Sequence, residues 1–457
     1  MRDDGSSGTL GAVEQLADIN LASNPFYSEF TDSFPLSAEA QSLPNMHGAG
    51  MVRDLREAAS LPNLQGSALA TQLTAFAAES TRSGQLAMLD TLLKTWADTS
   101  TMTTTANAAD AGVNLNVSFA GVTNGTPAWQ AWIDKLSTLE QFNGQTFSPI
   151  PASGGTLSID FFAARETLLD VSYSALKESV YGALVMQTRL KPYLDQISLS
   201  TSESGVAMDF SAMEAEMDAR YATDSENAVT DLIELTKYVA PQLSQSGWQC
   251  AAKLTQWISA AESNGTWEGL RTNMGVSYTG AATAANDFHL MSLASTSFDA
   301  GAGNDTVIGS SGNDTIYGVG GEDFLVSGVG DDTLVGSSGS DTLMGGGGND
   351  VLYAYDVNPQ YYNRETVANT LNGGKGNDTL HGSGGSDTYL YNLGDGADTI
   401  YETTAYNVAD TAVDRIVLDA GIAPADVTMG RSGNDLLLKF ATAGDQITLK
   451  NWYSSSA

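Results

Sequence analysis

An aspartate recurs every nine residues from Asp305 to Asp350, and no other feature of the chain restricts its fold so tightly. The copies read GNDTVIG at Asp305, GNDTIYG at Asp314, GEDFLVS at Asp323, GDDTLVG at Asp332, GSDTLMG at Asp341 and GNDVLYA at Asp350. Asn369, in NTLN, stands nine residues before Asp378 (GNDTLHG), which stands nine before Asp387 (GSDTYLY). The interval from Asp350 to Asp378 is 28 residues. The period is therefore expected to run on through one lengthened loop, roughly residues 354–368, with its phase kept.

Within each unit, six glycine-rich positions lead up to the aspartate. Glycine tolerates the positive φ of tight turns, so these positions are expected to be turn rather than strand or helix. The next three, such as Thr306-Val307-Ile308 or Thr315-Ile316-Tyr317, set one large apolar residue among β-formers and predict a very short strand. Turn and strand alternating at a fixed period coil a chain into a flattened solenoid of two parallel sheets. Val307, Ile316, Leu325, Leu334, Leu343, Leu352, Leu371 and Leu380 then make a thin apolar core. Such a core is too small to offset chain entropy unaided.

Stacked turns offer a remedy, because they bring carboxylates and glycine carbonyls into register. The candidate ligands are Asp305, Asp314, Asp323, Asp332, Asp341, Asp350, Asn369, Asp378 and Asp387, with the peptide oxygens of Gly303, Gly312, Gly321, Gly330, Gly339, Gly348, Gly376 and Gly385. Numerous, flexible, all-oxygen ligands suit a hard cation that accepts six to eight of them, which is Ca2+ rather than Zn2+ or Cu2+. Without a cation the carboxylates repel one another, so ion binding and folding are expected to be one event.

These units resemble the RTX (haemolysin-type calcium-binding) nonapeptide family. Its pattern GGxGxDxUx is matched by Gly345 to Tyr353 (GGGGNDVLY) and by Gly373 to His381 (GGKGNDTLH). The resemblance implies a parallel β-roll that shares several Ca2+ between neighbouring turns on one side. It also implies export by the type I secretion apparatus of a Gram-negative bacterium, with folding delayed until the chain meets high calcium outside. Departures from the pattern are Asn369 for an aspartate, Ser310 and Ser337 for glycines, and a slight shift at Gly320 and Gly328. Weaker or missing ions are expected near the long loop.

The 457 residues carry 54 acidic and 20 basic side chains, a net charge of −34. That argues against nucleic acid and anionic membrane as partners, since both need basic surface. A single cysteine, Cys250, cannot close an internal disulfide, so metal rather than sulfur is the expected staple. No apolar run is long enough to span a bilayer, and the first eight residues (MRDDGSSG) lack the apolar core of a cleaved signal. The chain is expected to be a secreted, extracellular protein, the C-terminal part of something larger.

Ahead of the repeats, apolar residues recur at helical spacing. Residues 1–66 read as irregular with short helices, including one at Met51 to Ser60, and with turns at Asn24-Pro25 and Phe34-Pro35. Residues 67–293 read as a helical domain. Its helices are expected at Ala68 to Ala97 (broken near Thr81 to Gly84), Trp129 to Phe142, Ser158 to about Leu199 (kinked or ended at Pro192), Phe210 to Tyr221, Asp224 to Leu243 and Trp248 to Ala261. Gly112 to Thr126 reads as a loop or hairpin, and Gly265 to Leu293 as a connector. SNPFYSEFTDSFPL (Ser23 to Leu36), GAGMVRDLREAASL (Gly48 to Leu61), LLKTWADTSTM (Leu92 to Met102) and QTRLKPYLDQI (Gln187 to Ile197) are similar to the segment found upstream of the repeats in very large RTX exoproteins. That resemblance carries no established activity.

The roll is assigned to residues 299–401, with Tyr391 to Ile400 (YNLGDGADTI) as its closing turn. A small antiparallel β cap and the export signal are assigned to 402–457. Asp414 to Leu418, Ser432 to Leu438 and Gly444 to Tyr453 resemble the haemolysin-type calcium-binding related domain, and the alternation of the last two predicts antiparallel strands. The expected fold is thus multidomain α + β: an all-α domain, a parallel β-roll and a β cap.

The search for catalysis finds no H-E-x-x-H, no G-x-S-x-G and no Asp-Pro. The three histidines, His47, His289 and His381, are far apart and read as surface or loop residues. Asp160, Glu166, Asp170, Asp209, Glu214 and Glu216 offer carboxylate pairs that spacing alone does not select. Trp129, Trp132, Trp248, Trp257 and Trp267 read as core before sugar platform. No catalytic residue is assigned. The expected function is calcium-driven folding of a secreted RTX protein. The alternative is a toxin, cytolysin or uncharacterised hydrolase with its activity in the helical half, acting on a cell-surface or host target that the sequence does not name.

Overall fold

A computed structural model describes residues 35–202, 205–244, 248, 250–274, 286–293, 296–356, 366–402, 412–419 and 421–453. The turn expected at Asn24-Pro25, the match from Ser23 up to Phe34, much of the connector before Leu293 and most of the long loop lie outside the described residues. The chain separates into two compact units, 1–198 with 211–214 and 199–210 with 215–457.

In the first unit, α1 (Leu55–Ala59), α2 (Leu64–Ala78) and α3 (Arg82–Ala97) follow the predicted pattern. Asn63 and Thr81 cap α2 and α3 by accepting the N–H groups of Gly66 and Gly84, three residues on. Leu69, Leu73, Phe76, Leu89, Leu93 and Trp96 are fully buried.

The next segment differs from its sequence reading. Residues read as loop or hairpin contain β1 (Asn114–Phe119), which pairs in parallel with the distant β2 (Thr156–Phe161). The helix α4 (Pro127–Asn143) lies between them in the chain. Strict alternation in TLSIDF buries Leu157, Ile159 and Phe161 against Val117, Phe119, Ile133 and Leu136. The helix expected from Ser158 therefore begins only at α5 (Ala163–Met186). On it Leu169, Val180 and Leu184 are buried, whereas Leu168 and Val171 face outward at 68% and 61% exposure. Pro192 sits in the first turn of the short α6 (Lys191–Leu194), where its missing N–H costs nothing.

The second unit contains the two-stranded sheet of β3 (Ser198–Ser202) and β4 (Gly205–Asp209). Most of α7 (Ser211–Thr223) belongs to it, followed by α8 (Ser225–Ser244), α9 (Ala251–Ser263) and α10 (Trp267–Asn273). The roll begins after these helices. One sheet stacks β5 (Phe288–Leu290), β7 (Thr306–Ile308), β9 (Phe324–Val329), β11 (Thr342–Gly347), β13 (Thr370–Lys375), β15 (Thr388–Tyr391) and β17 (Arg415–Leu418) in parallel. The other stacks β6 (Ser297–Asp299), β8 (Thr315–Gly320), β10 (Thr333–Ser338), β12 (Val351–Tyr353), β14 (Thr379–His381) and β16 (Ala397–Tyr401). Successive strands alternate between the sheets, which is the β-roll. Register survives the long loop: Leu343 faces Leu371, and Leu352 faces Leu380.

All eight leucine-type positions of the repeat are buried in one continuous core, none more than 2% exposed. Strands β8 to β11 run six residues, into positions read as pure turn, because Val319, Gly320, Ser337 and Ser338 keep the ladder going. Outward residues Ile308, Val326 and Met344 are buried too, and α9 packs against β9 and β11. Trp267 and Arg271 of α10 donate to the carbonyls of Met291 and Leu290 at 3.2 and 2.9 Å.

The cap is not a separate sheet. β18 (Thr428–Ser432), β19 (Asp435–Lys439) and β20 (Gln446–Leu449) form an antiparallel meander, but β20 pairs in parallel with β16 and extends the roll. The segment from Asp414 gives β17, which pairs in parallel with β15. The α + β class with a parallel β-roll holds, with two small sheets set among the helices.

Candidate metal centre

Each turn aims its aspartate inward, where the backbone of the coil before it donates to it. Asp305, Asp314, Asp323, Asp332, Asp341, Asp350, Asp378 and Asp387 are all buried, and Asn369 with them. One carboxylate oxygen of each is used structurally. In the first column Oδ1 of Asp305, Asp323, Asp341, Asn369 and Asp387 accepts the backbone N–H of the residue one coil earlier, at 2.6–2.9 Å. In the second column Oδ1 of Asp332, Asp350 and Asp378 does the same at 2.8–2.9 Å. Asp414 and Asp398 end the two columns, accepting from Asp387 and Asp378 at 3.0 Å. The sequence reading missed both. Their signal was an aspartate two residues ahead of an apolar strand position, off the nine-residue phase at Asp398 and 27 residues, three full periods, after Asp387 at Asp414.

The second oxygen has no such role. Oδ2 of Asp305, Asp323, Asp350 and Asp378 is buried without a hydrogen-bond partner. Leaving one buried polar atom unsatisfied costs about 1–3 kcal/mol, more when it is charged. In three of these turns Oδ2 lies over a glycine five residues back: a Cβ on Gly318, Gly345 or Gly373 would overlap it. Asp332 differs in having the Ser327 hydroxyl beside its turn, donating to the Gly345 carbonyl at 2.7 Å.

The glycines supply oxygen on the same sides. Gly303, Gly312, Gly321, Gly330, Gly339, Gly348 and Gly376 hold φ between 117° and 149°, which only glycine adopts readily. A Cβ on Gly321, Gly339, Gly348 or Gly376 would overlap the carbonyl oxygen of the matching glycine one coil earlier. Gly385 lies outside this region of φ, though its Cβ would meet the Val367 carbonyl. Buried carboxylate and carbonyl oxygens, with no nitrogen or sulfur among them, fit a hard divalent cation. Asn369 fits less well. Its Nδ2 donates to Val367 O, Ser383 Oγ and Asp387 Oδ1 at 3.1–3.2 Å, so it presents hydrogens where an aspartate presents oxygen.

Burial in this sheet edge lifts the carboxylates far above their usual range. It pushes Asp305 and Asp332 up to about 6, Asp323 and Asp378 to about 7, and Asp350 to about 8, and neighbouring aspartates in the column add to each rise. Asp398 rises to about 8 in the same way, with Asp378, Asp395 and Asp445 around it. Burial thus raises the affinity of these carboxylates for a proton, and the same oxygens are of the type a hard cation takes.

An outer ladder escaped the sequence reading as well. The residue before each aspartate accepts from its counterpart one coil later: Asn304 from Glu322, Asn313 from Asp331, Asp331 from Asn349, and Asn349 from Asn377, at 2.7–3.1 Å. This explains why asparagine recurs in GND.

The remaining candidates fall elsewhere. His381 is not a solvated loop residue: it lies on β14, stacked between Tyr353 and Tyr401 at 4.5 and 4.8 Å. His289 lies on β5, buried, 3.8 Å from the Phe298 ring, and burial pushes it down to about 4. His47 pairs with Asp54 at 3.2 Å. Asp160 accepts from Ser118 at 2.6 Å, Asp170 pairs with Lys135, and Glu166 accepts from the Ala120 N–H. Trp248, Trp257 and Trp267 are buried, and Trp129 and Trp132 pack on the β1–β2 core. Among the described residues no helix is long and apolar enough to cross a membrane.

The comparisons with known proteins agree with this geometry. The family model described as RTX calcium-binding nonapeptide repeat (4 copies) matches residues 299–334, 326–358 and 367–400. A curated relative, iron-regulated protein FrpA of Neisseria meningitidis serogroup C, is 28% identical over 258 residues. The match covers 50% of this chain and 22% of that protein, so the chain spans well under a third of its relative's length. Residues 299–358 and 367–400 thus carry RTX calcium-binding nonapeptide repeats.

Proposed function

We propose that this RTX repeat chain is a secreted calcium-binding protein, the C-terminal part of a larger exoprotein, whose roll folds when its turns acquire Ca2+ after type I export. The observation that carries the reading is the set of buried Oδ2 atoms on Asp305, Asp323, Asp350 and Asp378 that nothing in the protein satisfies. Those carboxylates, with Asp332, Asp341 and the carbonyls of the positive-φ glycines, would hold the ions. Bound calcium supplies compensating charge and accepts six to eight oxygens without demanding a rigid geometry.

The balance of forces explains why folding and binding coincide. Each turn contributes about one fully buried aliphatic side chain, roughly 2 kcal/mol. Each also buries a carboxylate, whose uncompensated charge costs several kcal/mol. Uncompensated, the turn loses. A chain with this balance stays extended where calcium is scarce, which suits passage through an export channel, and folds where calcium is plentiful. The strands β18 to β20 and the residues around them, 402–457, are proposed to carry the export signal.

The test is a calcium titration of the purified chain by far-UV circular dichroism with magnesium as control. A cooperative gain of β signal with calcium alone is expected. A fully formed roll in chelator that does not respond to calcium would overturn the proposal.

A further inference from the structure

We propose that two turns of the roll, those ending at Asp314 and Asp387, take no ion at the oxygen that the other turns leave open, because Ser310 and Ser383 put their own N–H donors against it; the Asp387 carboxylate also lies within 4.8 Å of Glu402 and Asp414. This rests on the reading of the other turns as calcium sites. In the first, Ser310 donates to Asp314 Oδ2 from its backbone at 3.1 Å and its hydroxyl at 3.3 Å. In the second, the Ser383 N–H donates to Asp387 Oδ2 at 2.6 Å, and its hydroxyl lies 3.1 Å from Val367 O and 3.2 Å from the same Oδ2. Both serines are 2% exposed, so the oxygen they satisfy is shielded from water.

Backbone conformation, rather than the serine itself, makes the difference. Four residues before their aspartates, Gly301, Val319, Gly328, Ser337, Gly346 and Gly374 all have positive φ, between 76° and 111°. Ser310 and Ser383 do not, and their N–H groups turn in toward the carboxylate. Ser337 shows that a serine can hold the open form at φ 76°. The surroundings follow suit. In the open turns of Asp323, Asp350 and Asp378, Oδ2 occupies the space over the glycine five residues back, whereas Gly309 there faces the Ser327 backbone and Gly382 faces the Tyr389 hydroxyl first. The closed turn at Ser310 is also tied to α9, since Ser311 N–H donates to Glu262 Oε1 at 3.1 Å.

A carboxylate oxygen that already accepts a buried N–H and faces a hydroxyl offers a cation little and needs it less. The two closed turns flank the run from Asp323 to Asp378, so that run has an ion-independent turn on either side.

The test uses the full chain and its Ser310→Gly and Ser383→Gly variants. In saturating calcium, where the roll is folded, amide hydrogen exchange at Ser310 and Ser383 of the wild type is expected to be at least roughly tenfold slower than at the glycine that replaces each in the matching variant. In the same calcium, equilibrium dialysis is expected to find one more ion per chain in each variant. Unchanged stoichiometry in variants of a calcium-binding wild type would overturn the inference. So would exchange at these two amides that the matching variant does not speed. A wild type that folds but binds no calcium would instead sink the reading under it, and the exchange comparison on that folded chain still decides whether the serine turns are closed.

Discussion

Asp350 does two jobs with its two oxygens, and substitution separates them. Asp350→Asn keeps an acceptor for the Asp332 N–H but replaces the unpartnered oxygen with an amide. Calcium affinity of the roll is expected to fall at least about tenfold, roughly 1.4 kcal/mol, by dialysis or titration. The same variant in chelator is expected to be more folded than wild type, because a buried charge has gone. A structural role alone would lower stability in both conditions. Backbone conformation gives a second pair of tests. Gly376, at φ 149° and pressed against the Gly348 carbonyl, has no room for a Cβ, and Gly376→Ala is expected to cost about 3 kcal/mol or more by denaturant unfolding in calcium. Val319 has φ 81°, a strained value for a β-branched residue, and is 41% exposed. Val319→Gly is expected to stabilise the roll by about 1 kcal/mol.

At the scale of the repeat, protonation and calcium compete for the same oxygens. In the metal-free roll Asp323, Asp350, Asp378 and Asp398 rise to about 7 or 8, against about 3.9 in an unfolded chain. The folded state therefore binds more protons between about pH 4 and pH 8, and its stability falls as pH rises through that window. Chelated protein is expected to show more β signal and a higher melting temperature at pH 5 than at pH 8, while calcium-loaded protein shows the reverse ordering. Much of this element was legible. The phase of Asp305 to Asp387 set the strands, the core leucines and the inward carboxylates, and even the lengthened loop left Leu343 facing Leu371. Three things were not legible. Asp398 continues its column from off the period, and Asp414 stands three periods after Asp387 with Gly396 and Ala405 between them in phase, so no run of aspartates leads to it. Ser310 and Ser337 look alike in sequence, and only φ tells the closed turn from the open one. β1 and β2 pair across the whole of α4, and a local pattern cannot name a remote partner.

For the whole molecule, the second compact unit joins helices to the roll. Ile308, Val326 and Met344 face outward from their sheet yet are buried, and α9 packs against β9 and β11. A chain of residues 199–457 is expected to reach the calcium-induced β signal of the full chain. A chain of 286–457, which lacks α9 and α10, is expected to bind the dye ANS and to melt several degrees lower, as three uncovered apolar side chains would cause. The ladders of Oδ1 acceptors add a direction to this assembly. The N–H of Asp305 is completed by Asp323, that of Asp323 by Asp341, and so on to Asp387 and Asp414; nowhere in these columns does an earlier coil complete a later one. The outer ladder runs the other way, with Glu322 completed by Asn304 and Asn349 by Asp331, so each coil is held from both neighbours and the inner carboxylate columns alone have a direction. In those columns the later residue holds the acceptor, so a chain emerging from its carboxyl end would bring each inner acceptor out ahead of the N–H that needs it.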